Sequence, residues 1–328
     1  MPAILEVDNL VKKFGNLEAV KGVSFTVEGG EVFGLLGPNG AGKTTTISML
    51  TTVLSPTSGT ARIAGHDIIK EPMAVKRAIG LVPQDLALYP TLSARANLNF
   101  FGSIYNLRGK ELEERVDDVL EIVALADRQK DAVEKFSGGM KRRVNIAAGL
   151  VHHPDLLFLD EPTVGVDPQS RNHIFESVLK LNRERGMSII YTSHYMEEVE
   201  LLCNRVAIID QGKIIALDTI KNLVQMLGGG VIHVGLRQVD QSLVDQIGQL
   251  PAVKSAVILP GVAKEAASAE VPEAEVALVK VEALHSQEAL VNLIRFINEK
   301  DLTIASMEIL EPNLESVFLH LTGKKLRE

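Results

Sequence analysis

A glycine-rich segment near the start of the chain has the composition and spacing to hold phosphate groups. It comprises Gly37, Pro38, Asn39, Gly40, Ala41, Gly42, Lys43, Thr44 and Thr45. An apolar, strand-like stretch precedes it and a helical pattern begins at Lys43, which is the setting in which G-x-x-x-x-G-K-[ST] binds phosphate. Gly40 and Gly42 would let backbone N–H groups point inward. Lys43 would reach the β- and γ-phosphates, and the Thr44 hydroxyl would bind Mg²⁺. The motif alone leaves kinases, GTPases, motors and transport ATPases open.

Two acidic residues end a second apolar stretch, "DLLFLDEPTVGVDP". Residues 156–159 are all apolar, which is typical of a central parallel strand that is buried on both faces. Asp160 would hold Mg²⁺ through water, and Glu161 could orient or deprotonate an attacking water. Paired acids at a strand end could instead cap a helix or form a turn, but the upstream phosphate loop favours the chemical interpretation.

The stretch "FSGGMKRRVNIA" begins a helix with two glycines in its first turn. Ser137 is a good N-cap, whereas Gly138 and Gly139 weaken the helix relative to alanine. Such a start suits the close approach of a negatively charged group to the backbone. Of the three basic residues that follow, we predict that Arg143 packs inward and that the others lie on a solvated face.

These motifs occur in an order that resembles the nucleotide-binding subunits of ABC transporters, over roughly residues 1–225. The resemblance implies that Phe14 stacks on adenine and that Gln84, in "GLVPQD", contacts Mg²⁺ and the attacking water. It also implies that His194, in "YTSHYMEE", contacts the γ-phosphate, and that Asp167 lies in a loop that crosses between subunits. Asp160 and Glu161 then hold Mg²⁺ and activate the water.

The resemblance also assigns a role to the weak helix start. In this family Ser137, Gly138 and Gly139 would face the ATP that another subunit holds, so the chain is expected to act as a homodimer or with a related ATPase subunit. Met140 departs from the family pattern, in which many members have Gln, so one side-chain contact to the nucleotide is in doubt.

Composition and charge limit the other possibilities. The chain has 328 residues, of which 46% are hydrophobic and 23% charged, enough for about two folded domains. The net charge of −8 argues against nucleic acid as a partner. The single cysteine, Cys203, lies in an apolar stretch and is predicted to be a buried structural thiol. Neither a signal peptide nor an apolar run of about 18 residues is present, so a cytoplasmic protein with a separate membrane partner is expected.

The segment between Gln84 and Ser137 shows two helical patterns, around residues 94–105 and 110–123. The resemblance implies a helical subdomain, about residues 86–150, that docks on an integral membrane permease at the cytoplasmic face of the membrane. A local cluster of large side chains is predicted to divide between the core and a groove for that partner. Its members are Leu88, Tyr89, Phe100, Phe101 and Tyr105.

A second domain is predicted after the three glycines 228–230, which could form a hinge. The pattern beyond them reads β-α-β-β-α-β, as in a ferredoxin-like sandwich, with a mobile loop at residues 260–272. We therefore expect an α/β P-loop ABC-type ATPase domain (1–227) and a small α+β domain (228–328) with a regulatory or dimer-forming role.

The ending "EPNLESVFLHLTGKKLRE" resembles the tail of the daunorubicin-resistance and related type-2 ABC exporters. The expected function is thus the ATP-hydrolysing subunit of such an exporter, with its substrate open. The alternatives are a soluble ABC ATPase that acts on DNA or the ribosome, and a P-loop kinase. A soluble ABC ATPase of that kind usually carries a coiled-coil insert or two ATPase halves, neither of which this sequence shows. A P-loop kinase would give Ser137 and His194 no role.

Overall fold

The computed structural model describes residues 2–237, 239–259 and 276–323. The chain divides into two compact units, one up to Ile220 and the other from Lys221 onward. This division lies seven residues before the sequence-based boundary between 227 and 228. The mobile loop predicted at residues 260–272 falls outside the described residues.

The first unit contains ten strands and most of the helices among the described residues. Its strands are β1 (Ala3–Phe14), β2 (Leu17–Glu28), β3 (Val32–Leu36), β4 (Ser58–Ile63), β5 (His66–Asp67), β6 (Ile79–Val82), β7 (Leu156–Asp160), β8 (Ser188–Ser193), β9 (Arg205–Asp210) and β10 (Lys213–Thr219). The helices are α1 (Lys43–Leu50), α2 (Pro72–Ala78), α3 (Ala94–Ile104), α4 (Gly109–Ile122), α5 (Gly138–Leu150), α6 (Pro168–Arg185), α7 (Met196–Leu202) and, across the boundary, α8 (Ile220–Gln225). Two short 3₁₀ turns, Ala126–Arg128 and Val133–Lys135, precede α5.

A six-stranded sheet in the order β10-β9-β3-β8-β7-β6 forms the centre of this unit. Every residue of β3, β7 and β8 is buried, which explains why β3 and β7 are almost continuously apolar. Since β3 and β7 both run parallel to β8, their carboxyl ends meet at one edge of the sheet. The phosphate loop after β3 and the two acids at the end of β7 are therefore brought together.

A second, antiparallel sheet has the order β2-β1-β4-β5 and packs against the first through a shared apolar core. The rings of Phe25 and Phe33, one from each sheet, stack with their centroids 5.2 Å apart. Cys203 is buried, as predicted, and burial raises the pKa of its thiol well above the ordinary value. The thiol is thereby kept protonated and unreactive.

The two helices predicted between Gln84 and Ser137 are α3 and α4. Among the large side chains singled out there, Tyr89, Phe100 and Tyr105 are exposed, while Leu88 and Phe101 are half-buried. Tyr89 and Phe100 form an edge-to-face pair with centroids 4.9 Å apart, and Tyr105 stacks on His152 at 3.7 Å. The exposed rings thus lie on the helical part of the unit.

The second unit is a four-stranded antiparallel sheet with helices. Its elements are β11 (Val231–Arg237), α9 (Gln241–Gly248), β12 (Val253–Leu259), β13 (Val276–Ala283), α10 (Ser286–Glu299), β14 (Ile304–Leu310) and α11 (Leu314–Thr322). The strand order β12-β13-β11-β14 is that of the predicted ferredoxin-like sandwich. A Cβ atom on Gly229 would lie 2.5 Å from the carbonyl oxygen of Ala283, and one on Gly230 would lie 2.6 Å from that of Leu310. Close backbone packing within this unit therefore requires both glycines.

Among the described residues, none of the helices combines the length and the apolar character that crossing a bilayer requires.

Candidate nucleotide site

The loop between β3 and α1 folds as the phosphate-binding motif requires. Gly40 and Gly42 have φ angles of 79° and 107°, in the left-handed region that side chains disfavour. A Cβ atom on Gly37 would lie 2.2 Å from the carbonyl oxygen of Ile209, so only glycine fits there. The loop ends at Gly42, the N-cap of α1, where free backbone N–H groups and the helix dipole favour an anion.

Lys43 is buried at the base of this loop, with only 4% of its surface exposed. Its ammonium donates to the carbonyl oxygens of Gly37, at 2.8 Å, and Pro38, at 3.3 Å. Nζ also lies 3.1 Å from Oε1 of Glu161, which is equally buried. The loop and the acid at the end of β7 therefore share one charged contact.

Thr192 contacts both acids at the end of β7. Thr192, on the neighbouring strand β8, donates its hydroxyl to Oδ1 of Asp160 at 2.7 Å and accepts the backbone N–H of Glu161 at 2.9 Å. Burial raises the pKa of the Asp160 carboxyl, and the hydroxyls of Thr192 and Thr44 oppose that rise. Glu161 has a φ of 46°, a strained conformation for a non-glycine residue that is typical of functional sites.

The other predicted catalytic residues lie close to Glu161. Nδ1 of His194 is 3.2 Å from Oε2 of Glu161, so the carboxylate lies between Lys43 and His194. Gln84 lines the same cavity as the phosphate loop. That cavity has a volume of about 240 Å³ and is lined by Ala19, Asn39, Gly40, Gly42, Lys43, Thr44, Thr45, Gln84 and Glu161.

Thr44 and Asp160 provide an oxygen set that suits Mg²⁺. The Thr44 hydroxyl lies 3.5 Å from Oδ1 of Asp160. Mg²⁺ prefers hard oxygen ligands, and it would offset the electrostatic cost of burying the Asp160 carboxylate. Thr44 and Asp160 therefore fit the Mg²⁺ ion that sequence analysis predicted.

The segment 137–139 lies apart from this cavity, since none of its residues lines the cavity walls among the described residues. Ser137 is the N-cap of α5 and accepts the backbone N–H of Met140 at 3.2 Å. Ser137 and Gly138 are exposed, whereas Gly139 is buried. The first two therefore leave the Ser137 hydroxyl and the N-terminus of α5 accessible at the surface.

Gly139 has a reason for being glycine that sequence analysis missed. A Cβ atom there would lie 2.0 Å from Oγ of Ser170 and 2.1 Å from its Cβ, in the first turn of α6. Asp167 caps that helix by accepting the backbone N–H of Ser170 at 2.9 Å. The start of α5 and the segment of Asp167 are thus in direct contact within one chain.

Among the basic residues of α5, the burial of Arg142 differs from the prediction. Arg142, expected in solvent, is 5% exposed and donates to the carbonyl oxygen of Pro83 at 3.0 Å, next to Gln84. Arg143 is half-buried and donates to the carbonyl oxygens of Val123 and Ala124. The prediction for Arg142 is wrong because this side chain lies on the inward face of α5.

Phe14 lies at the end of β1 with 47% of its surface exposed, and the ammonium of Lys12 is 5.2 Å from its ring centroid. An exposed ring face is what stacking on a base needs. Phe14 is not among the residues that line the cavity of the phosphate loop.

Sequence analysis also missed Thr192 and Glu198. Thr192 connects the two acids, as described above, and Glu198 is a buried carboxylate on α7. Two features of the sequence could have indicated these residues. The strand "SIIYTS" ends in polar residues, and Glu198 lies four residues before buried Leu202, on the same face of α7.

Comparisons with known proteins show which family this chain resembles. The ABC transporter family model matches residues 20–164, which include the phosphate loop and both acids. The linearmycin resistance ATP-binding protein LnrL of Bacillus subtilis is 46% identical over 326 residues, with 99% of this chain and 100% of that protein covered. The daunorubicin resistance ATP-binding protein DrrA3 of Streptomyces coeruleorubidus is 36% identical, with 98% and 97% covered.

Solved structures match about two thirds of the chain. The dimeric ATP-binding cassette MJ0796 in a post-hydrolysis state, bound to ADP and Pi, is 26% identical with a TM-score of 0.60 and covers 66% of this chain and 98% of that one. CbiO1 of Clostridium perfringens, part of the ABC transporter complex cbiONQ, is 29% identical with a TM-score of 0.62 and covers 69% and 95%.

The fold and the site define an ATP-binding cassette that hydrolyses ATP. The chain belongs to the ABC transporter family, as an ATP-binding subunit.

Proposed function

We propose that this chain is the ATPase subunit of a type-2 ABC exporter. It would pair with a second copy or a related subunit and drive an integral membrane permease from the cytoplasmic face of the membrane. The similarity to subunits named for linearmycin and daunorubicin resistance, over nearly the whole chain, supports the exporter assignment. Those names make a toxic natural product the first substrate class to test.

The position of Glu161 carries the proposal. Its carboxylate lies at the wall of the phosphate cavity, between the ammonium of Lys43 and the imidazole of His194. A carboxylate there can orient a water and accept its proton as that water attacks phosphorus. His194 would hold the γ-phosphate, and Gln84, which lines the same cavity, would help to hold the water.

Lys43 would bind the β- and γ-phosphates, because its ammonium lies among the glycines of the loop. Thr44, Gln84 and Asp160 would hold Mg²⁺. When bound, this ion would supply positive charge to the phosphate oxygens. Phe14 would stack on the adenine base.

A complete ATP site would need two chains. Ser137 and Gly138 are exposed at the start of α5 and lie outside the cavity of their own chain, so they suit the γ-phosphate held by a partner. Asp167 lies beside these two residues, since buried Gly139 of α5 packs against Ser170 of α6, the helix that Asp167 caps. The exposed rings of Tyr89 and Phe100 would contact the permease.

The C-terminal domain, which sequence analysis places at 228–328, would regulate or dimerise the subunit. Among its described residues, no group of three or more His, Cys, Asp or Glu side chains is placed to hold a metal ion.

Replacement of Glu161 by Gln tests the site. We expect Glu161→Gln to bind ATP within about threefold of wild type, while turnover falls by at least about 100-fold, because the amide keeps the shape but accepts no proton. The variant should also accumulate as an ATP-bound dimer, measured by size-exclusion chromatography with ATP.

The matched control is Glu197→Gln, which makes the same chemical change at an exposed position on α7. It should hydrolyse ATP at the wild-type rate. Near-normal hydrolysis by Glu161→Gln would remove Glu161 from the proposed role.

A further inference from the structure

A second buried carboxylate, Glu198, lies behind the site and is not assigned a role above. It is 2% exposed and sits on α7, against strand β8. Its oxygens accept hydrogen bonds from the Thr163 hydroxyl at 2.8 and 2.9 Å, from the Tyr191 hydroxyl at 2.9 Å and from the Ser193 hydroxyl at 2.9 Å. The guanidinium of Arg171, on α6, lies 4.0 Å away.

This arrangement satisfies the Glu198 carboxylate fully but does not explain why a charge is there. A buried carboxylate is expensive to desolvate, and an apolar side chain of similar size often stabilises a core as well or better. The three hydroxyl donors come from different positions on two segments of the chain. Their common acceptor therefore fixes those segments relative to each other.

The two segments are those that carry Glu161 and His194. Thr163 follows Glu161 by two residues, and Ser193 directly precedes His194. The Ser193 hydroxyl also accepts the backbone N–H of Tyr195 at 2.9 Å, so both neighbours of His194 are fixed. On the other face of β8, Thr192 holds Asp160 and the backbone of Glu161.

We propose that Glu198 is a positioning residue for ATP hydrolysis. Its carboxylate ties the segment after Glu161 to the segment before His194 and thereby sets the 3.2 Å contact between those two side chains. Glu198 is not among the residues that line the phosphate cavity, and it acts through Thr163 and Ser193. This inference rests on the roles proposed above for Glu161 and His194.

The test is Glu198→Gln, which keeps the size but turns one acceptor oxygen into a donor that faces hydroxyl donors. We expect kcat, normalised to the number of nucleotide-binding sites titrated with ADP, to fall by about 10- to 100-fold, because small misplacements of catalytic groups cost this much. KM for ATP should change by less than about threefold, since the phosphate loop is untouched. Glu197→Gln, on the same helix, should match wild type.

Thr163→Val provides a second test if Glu198→Gln folds poorly. It is isosteric and removes only the link to the Glu161 segment. Its kcat should also fall with KM preserved, and the double variant Thr163→Val/Glu198→Gln should be no slower than Glu198→Gln alone, because both changes break one connection.

An unchanged kcat per binding site in both variants would overturn the proposal and leave Glu198 with a purely structural role. A double variant whose fold-loss in kcat equals the product of the two single losses would also contradict the proposal. If Glu161→Gln itself retained hydrolysis, the site assignment would fail instead. Failure of the proposal for Glu198 can therefore be distinguished from failure of the role proposed for Glu161.

Discussion

At the scale of single residues, Lys43 connects the phosphate loop to the acid that follows β7. Its buried ammonium closes the loop by donating to two loop carbonyls and also pairs with Glu161. Because a buried charge without partners is unfavourable, the loop geometry and the position of Glu161 depend on this residue.

We therefore expect Lys43→Ala to weaken nucleotide binding itself. Loss of charge-assisted hydrogen bonds to phosphate should reduce ADP affinity by about 10- to 100-fold. Isothermal titration with ADP and Mg²⁺ measures this without interference from hydrolysis. Lys76→Ala, at an exposed position on α2, is the control and should bind normally. Unchanged affinity in Lys43→Ala would mean that the phosphate loop has been misassigned.

The residues of the site were predictable from sequence where a short motif fixes their geometry. Lys43 and Thr44 follow from the loop and helix that carry them, and Asp160 and Glu161 from their place at a strand end. Glu198 was not predictable, because its partners come from two separate segments that only the packing of α7 against β8 brings together.

At the scale of elements, the start of α5 shows what periodicity can and cannot predict. The residues on its inward face, Gly139, Arg142 and Ile146, recur at helical spacing. Sequence reasoning treated Arg142 as solvated because charged residues are seldom buried. The carbonyl of Pro83, which accepts from Arg142, lies 59 positions away and could not be anticipated.

The contact between Gly139 and Ser170 leads to a prediction about stability. We expect Gly139→Ala to lower the melting temperature, because its Cβ would overlap the side chain of Ser170. Gly138→Ala should keep or raise it, since a Cβ atom there meets only the Gly165 carbonyl oxygen, at 3.9 Å, and alanine favours a helix.

Ser170→Gly supplies the test of cause, because it removes both overlapping atoms. The double variant Gly139→Ala/Ser170→Gly should melt higher than the sum of the two single effects predicts. Thermal unfolding without nucleotide gives the melting temperatures of the wild type, the two single variants Gly139→Ala and Ser170→Gly, and the double variant. Additive losses would show that overlap with Ser170 is not the reason for glycine at 139.

At the scale of the whole molecule, motifs and a family resemblance predicted the first unit, and the alternation of strands and helices predicted the second. The β-α-β-β-α-β order beyond residue 230 predicted a ferredoxin-like sandwich, and the observed strand order β12-β13-β11-β14 is the one expected for it. The role of the glycines was harder to predict. Gly229 and Gly230 suggested a hinge, but their close packing against β13 and β14 gives them a place inside the second unit.

The last prediction concerns how two chains would share ATP. Gly138 is exposed, so Gly138→Asp should fold normally, and a carboxylate in the first helical turn is favourable within one chain. Across a dimer it would oppose the γ-phosphate of the partner in a site that excludes water, where like charges repel strongly. ADP binding by this variant should survive, while ATP-driven dimerisation and hydrolysis should fail.

Mixing Gly138→Asp with Lys43→Ala sharpens this test. In a mixed dimer, one composite site would combine the intact phosphate loop of the first variant with the intact Ser137-Gly138 segment of the second. The other composite site would carry both lesions. Hydrolysis should therefore return in the mixture although each variant alone is inactive, up to the fraction of mixed dimers that random pairing gives. Dimerisation of Gly138→Asp with ATP at wild-type affinity would contradict the shared site, because the added charge would then face no phosphate.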